Sequence, residues 1–248
     1  MKDVSRLAEW LCVAVAVSAL LSCPAVAAPV MQDSFETYPG GTIEGQGQGW
    51  DVVHCTGNVT TAKSHTGYQS LVIDRGPNPY AQHVDWWDDL GLHGGMLEFS
   101  WWIYPSTSVG WGYETVWAVA VYGWSGAMVA HLQNDQAGSA STVDAQKSDA
   151  SWEETMALVP SLQWTQLTLE LDFGSSQDQY RIRAGAGPWS SWYTLGSDET
   201  YLRRIEFWAS KVSYTTYYID DVSLAPEPAT MGLVGLGLAG LVLRRKRK

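Results

Sequence analysis

Carboxylates and indoles are the side chains of this 248-residue chain whose numbers and spacing could do chemistry. Retaining glycoside hydrolysis needs two carboxyl groups held close together across the scissile bond. A strand pattern that supplies them is Glu-x-Asp-x-x-Glu. Its nearest match is Glu170-Leu171-Asp172-Phe173-Gly174-Ser175, where serine stands in place of the second glutamate. Asp85-Trp86-Trp87-Asp88-Asp89 sets three acids around two tryptophans, but no base or nucleophile accompanies them. His54, His65, His83, His93 and His131 form no His-x3-His pair of the kind that binds zinc. Cys55 has no histidine-asparagine pattern near it, so it reads as a small buried side chain. No catalytic residue is nominated, and the chain is not expected to be an enzyme.

Tryptophan is in excess, with 14 residues. A flat aromatic face can stack on the C–H face of a sugar ring, and an indole also fills a β-sandwich core well. Trp50, Trp101, Trp164 and Trp208 lie in apolar strand-like runs and are expected in the core or at sheet edges. Trp86, Trp87, Trp111, Tyr113, Trp124, Trp189, Trp192 and Tyr193 sit in Gly-, Pro-, Ser- and Asp-rich stretches, where a large aromatic has no automatic structural purpose. These eight are the expected ligand contacts.

The elements that must position them are strands. Between Val30 and Ala225 no helical period persists; short alternations recur, bounded by Gly, Pro, Asn, Asp and Ser. In Gly95–Pro105, Leu97, Phe99, Trp101 and Ile103 share one face, while Glu98, Ser100, Trp102 and Tyr104 take the other. In Thr165–Phe173, Leu167, Leu169, Leu171 and Phe173 point inward. About a dozen such strands in one domain predict an all-β, two-sheet antiparallel sandwich. Residues Asp135 to Ser151 are small and polar and read as one long loop.

The edges of this body carry a resemblance. Asp33–Trp50 (DSFETYPGGTIEGQGQGW), Gly67–Ile73 (GYQSLVI) and Tyr217–Leu224 (YYIDDVSL) resemble the borders of concanavalin A-like, laminin-G-like and carbohydrate-binding jelly rolls. Laminarinase-like enzymes share that fold, and the missing glutamate of the Glu170 motif sets the chain apart from them. The resemblance implies that the first and last strands are neighbours. In the similar carbohydrate-binding modules, an opening Glu and a last-strand Asp help to hold a structural calcium. It therefore implies one Ca²⁺, with Glu36 and Asp220 as leading ligands and Asp33 and Asp221 as alternates, a donor set of hard oxygens that suits the ion.

Both ends of the chain differ from the body. Lys2 and Arg6, an apolar run from Trp10 to Leu21, and Ala25-Val26-Ala27 form a secretory signal peptide over 1–27, with cleavage expected after Ala27. Residues 28–225 form the expected exported domain, with 8 basic and 23 acidic residues, net −15. That charge argues against nucleic acid as a partner and is compatible with neutral polysaccharide. The tail 226–248 joins Pro226-Glu227-Pro228 to an uncharged run, Ala229 to Leu243, and ends on Arg244, Arg245 and three more cations. As a helix the run would span about 22 Å, short for a hydrocarbon core of about 30 Å. Its basic end would remain cytoplasmic. Gly235–Gly240 matches G-x-G-x-x-G, but the chain ends eight residues later, with no room for a dinucleotide-binding unit. Triplet, apolar segment and Arg-rich end resemble the PEP-CTERM sorting signal of Gram-negative bacteria. The resemblance implies passage through the secretion translocon and a precursor anchored in the inner membrane. It also implies an exosortase-type processing enzyme and a destination at the cell surface or in an exopolysaccharide matrix.

Overall fold

The computed structural model describes residues 31–46, 49–53, 55–74, 82–93, 95–106, 114–136, 140–209 and 216–226. The expected signal peptide with Ala27, the aromatics Trp111 and Tyr113, and the tail from Glu227 through Pro228, Arg244 and Arg245 lie outside them. Pro29–Ala225 form one compact unit. Among the described residues no helix is long and apolar enough to cross a membrane.

The described residues form strands β1 (Met31–Asp33), β2 (Gly41–Thr42), β3 (Trp50–Val53), β4 (Thr56–Thr60), β5 (Ser70–Asp74), β6 (Gln82–His93) and β7 (Met96–Pro105). There follow β8 (Glu114–Gly123), β9 (Met128–Gln136), β10 (Ala140–Gln146), β11 (Trp152–Pro160), β12 (Thr165–Asp172), β13 (Gln179–Ala184), β14 (Tyr201–Ala209) and β15 (Thr216–Pro226). They make two antiparallel sheets. One runs β13-β12-β7-β15-β5-β4-β2 with β1 added beside β15; the other runs β11-β10-β9-β8-β14-β6-β3. This is a jelly-roll sandwich.

The first strand does neighbour the last: Met31 pairs with Leu224 and Asp33 with Val222. The period-2 pattern decides which side chains fill the space between the sheets. Leu97, Phe99 and Trp101 of β7 meet Leu171, Leu169 and Leu167 of β12 in register, and these six and Ile103 are buried. Phe207 of β14 reaches across to Phe99 and Trp101, with ring centroids 6.1 Å apart in each case. Trp50, Trp101 and Trp117 are core residues; Trp164 and Trp208 are half-buried.

The expected loop Asp135–Ser151 contains a strand instead. β10 pairs with both β9 and β11, and its Val143 and Ala145 point into the core. Small polar residues give a weak local signal for a strand, but pairing with a strand on each side supplies what propensity lacks.

Candidate functional site

Trp124 lies at the tip of the β8–β9 turn and is 60% exposed, although its backbone is tied from all sides. Gly123 N–H donates to Ala127 O, Gly126 N–H to Gly123 O, and Trp124 N–H to Tyr201 O. The Arg203 guanidinium donates to Trp124 O at 3.2 Å and lies 5.7 Å from the indole centroid. Buried Glu199 accepts from Ser125 N–H at 3.0 Å and from the Ser125 hydroxyl. Gly123 is required at this turn, because a Cβ there would meet Glu199 Cγ at 2.1 Å. Asp178 in turn accepts from Glu199 N–H at 2.8 Å, and burial raises its carboxyl above the ordinary range. Next to the turn, Ala127, Met128, Gln146, Lys147 and Ser148 help to line an open depression of about 410 Å³. An exposed indole on a tied backbone beside this hollow is a platform on which a sugar ring can lie.

Trp189 and Trp192 follow β13 and lie against its arginines. Arg181 Cζ lies 4.6 Å from the Trp189 ring centroid and 4.5 Å from that of Trp192; Arg183 Cζ lies 4.3 Å from Trp189. Arg181 also bonds Glu170, so the carboxylate of the nearest hydrolase-like motif is committed to a buried ion pair.

Two of the eight nominated aromatics belong to the core. Trp86 is 7% exposed, opposite Trp50 and Ile205 in register. The polar neighbourhood in sequence is the alternate face of a long strand, not a loop. Tyr193 is 6% exposed; its backbone bridges to Tyr180, its hydroxyl donates to Glu153, and burial raises its pKa. Trp87 pairs in register with Arg204.

The four expected calcium ligands divide into two groups. Asp33 is buried, and its carboxylate accepts from Phe35 N–H, from the Tyr38 hydroxyl and from Trp50 Nε1–H at 2.7–2.8 Å. It is a polar anchor of the core and leaves the candidate ligand set. The other three grip one loop. Glu36 Oε1 accepts from Tyr68 and Gln69 N–H at 2.8 and 2.7 Å, at a position where only Gly67 leaves room. Asp220, fully buried, accepts from His65, Thr66 and Asp221 N–H. Burial pushes its pKa up to about 6 against these three donors. Asp221 takes the His65 ring and the Thr66 hydroxyl. Among the described residues no three His, Cys, Asp or Glu side chains come together as a metal cage, and N–H and O–H donors do the clasping.

Sequence reasoning missed two clusters. Tyr104 meets Tyr218 edge to face and Trp164 at a tilt on the outer side of the first sheet, where His65 stacks on Trp102 at 3.5 Å. The aromatic pair Trp102 and Tyr104 on the polar face of β7 was the available signal. On the second sheet, Asp85 and Glu206 stand directly opposite on β6 and β14, each 2% exposed. Arg204 bonds Glu206, lies 4.0 Å from Asp85 and rests over Tyr122. Burial, then Glu206, raise the Tyr122 pKa. No local pattern joins these residues.

Residues 224–248 match the family model of the PEP-CTERM protein-sorting motif. The chain ends in a PEP-CTERM sorting motif. That motif marks a secreted protein processed by exosortase, with a C-terminal membrane anchor before processing. Among curated proteins none matches the sequence. Among solved structures, the body in front of the PEP-CTERM tail is similar to Cip1, a cellulose induced protein, at TM-score 0.52 and 17% identity, over 79% of this chain and 96% of that one. A carbohydrate esterase of Shiga toxin-encoding bacteriophage phi24B superposes at TM-score 0.57 and 13% identity, covering 81% and 99%. The CBM22-1 xylan-binding domain of Paenibacillus barcinonensis Xyn10C is more distant, at TM-score 0.43 and 14% identity, covering 81% and 96%. These likenesses concern the jelly-roll fold.

Proposed function

We propose that the domain is a non-catalytic glycan-binding jelly roll, carried to the cell surface or extracellular matrix by its PEP-CTERM tail and retained there by polysaccharide. The observation that carries the reading is Trp124, held 60% exposed on a turn pinned from both strands and by Glu199. A backbone pinned in advance leaves only the side chain to be ordered on stacking, the economy that lets one aromatic anchor dominate a binding surface. The name of the similar Cip1 fold, a cellulose induced protein, and that of the carbohydrate esterase place related architectures in carbohydrate biology. Against catalysis stand the carboxylates themselves: Glu170, Asp85 and Glu206 are buried beside arginines and present almost no surface to a substrate.

Affinity electrophoresis of the protein in gels containing xylan, β-glucan or galactan tests this. Trp124→Ala should weaken retardation at least about fivefold, as an anchor worth more than about 1 kcal/mol would, without changing the melting curve. Unchanged retardation, or release of reducing ends by the wild type, would overturn the reading.

Calcium is proposed in a narrower form than the four acids suggested. One ion would reinforce the grip of Glu36 and Asp220 on the loop His65–Gln69, binding the loop that ties the first strand to the last.

A further inference from the structure

We infer that the Arg183–Trp189–Arg181–Trp192 cluster on β13 is a binding site for the carboxylate groups of an acidic polysaccharide, a uronate-bearing chain rather than a neutral one. The inference rests on the glycan-binding reading and specifies the ligand of a second surface. Net charge −15 in residues 28–225 favours neutral ligands only as an average over the surface. On β13 two arginines, Arg181 and Arg183, stand two residues apart on one face of the strand. Arg181 is neutralised by Glu170, but the row of Arg183 continues through Thr168 of β12 to Ser100 of β7, all without an acid. Among the described residues Arg183 forms no ion pair, and its buried Nε finds no hydrogen-bond partner. The Trp189 ring lies 4.3 Å from the guanidinium.

An arginine held against an indole is pre-organised, and its planar fork matches a carboxylate with two parallel N–H···O bonds. Trp192, 38% exposed at the end of the cluster, adds an aromatic surface for the next sugar ring. Cation and indole within a few ångströms read both parts of a uronate, its charge and its apolar ring face.

The test uses the purified full chain in mild detergent, with polygalacturonate and the same polymer after carboxyl reduction, and poly-glutamate as an acidic polypeptide. Retardation by polygalacturonate should exceed that by the reduced polymer and fall steeply between low salt and about 0.5 M NaCl, where screening shortens to a few ångströms. Arg183→Gln should weaken polygalacturonate binding about tenfold, the order expected for one charge-assisted bidentate pair. Arg183→Lys should recover only part of it, because the ammonium keeps the charge and loses the fork. Trp192→Ala supplies a second, independent loss. Equal binding of both polymers, or Arg183→Gln indistinguishable from wild type, would overturn the inference. Poly-glutamate bound as tightly as polygalacturonate would overturn it in favour of an acidic protein partner. Binding of polygalacturonate without any neutral glycan would leave this site standing and remove the Trp124 reading; the reverse pattern would remove this site alone.

Discussion

Gly123 and Glu199 define what a single residue contributes here. The side chain of Glu199 crosses the turn through the space a Cβ would take, so Gly123→Ala forces the carboxylate off Ser125. Overpacking of this kind costs about 1–3 kcal/mol. The variant should lower the urea midpoint and raise amide exchange at Ser125 while the core stays protected. Asp178, one bond behind Glu199, adds a pH dependence. Its folded pKa is raised by burial, so the folded state binds a proton more readily than the unfolded chain, and stability falls as the group ionises. From about pH 4 upward, through its folded pKa, the urea midpoint of the wild type should decline relative to that of Asp178→Asn, which keeps an acceptor for Glu199 N–H. Parallel midpoint curves for the two proteins would show that Asp178 carries no such linkage.

At the scale of elements, the loop His65–Gln69 works as a strap. Glu36 follows β1 and holds the Tyr68 and Gln69 N–H groups, while Asp220 of β15 holds those of His65 and Thr66, and Asp221 holds the His65 ring and the Thr66 hydroxyl. Glu36→Ala leaves the Tyr68 and Gln69 N–H groups without their acceptor. It should cost about 0.5–1.5 kcal/mol, with hydrogen exchange accelerated at those two amides first. Calcium bears on the same strap. By mass action an ion at about 100 times its Kd would stabilise the fold by roughly 2.7 kcal/mol. Melting curves of metal-stripped protein should therefore shift up by a few degrees on adding millimolar calcium, and the shift should vanish in Glu36→Gln/Asp220→Asn. Superimposable curves with and without calcium would mean that the hydrogen bonds alone form the clasp.

For the whole molecule, the sorting tail and the sandwich have separate tasks. Replacing Pro226-Glu227-Pro228 by three alanines should leave unprocessed precursor in the inner membrane, read by intact mass and fractionation. Processed protein at the surface of that variant would dismiss the triplet as the recognition element. The tail was legible in sequence because order, spacing and terminal position are properties of a linear string. The strands were legible for a related reason. Alternation in β7 and β12 is the direct imprint of a two-residue side-chain period against one buried face. Proximity across the fold leaves no such imprint. Trp86 and Trp87 look alike in sequence, yet pairing with Trp50 and Ile205 buries Trp86. Asp33 and Glu36 lie three residues apart, but one holds core aromatics and the other a distant loop. Arg183 escapes compensation only because β12 and β7 place Thr168 and Ser100 beside it. The chain by itself determined the sorting motif, the all-β class and the inward face of its strongest strands, since each depends on neighbours along the backbone. Which carboxylate clasps, which indole remains exposed and which arginine stays uncompensated were decided by strand register, since contact across two sheets depends on residues far apart in the chain.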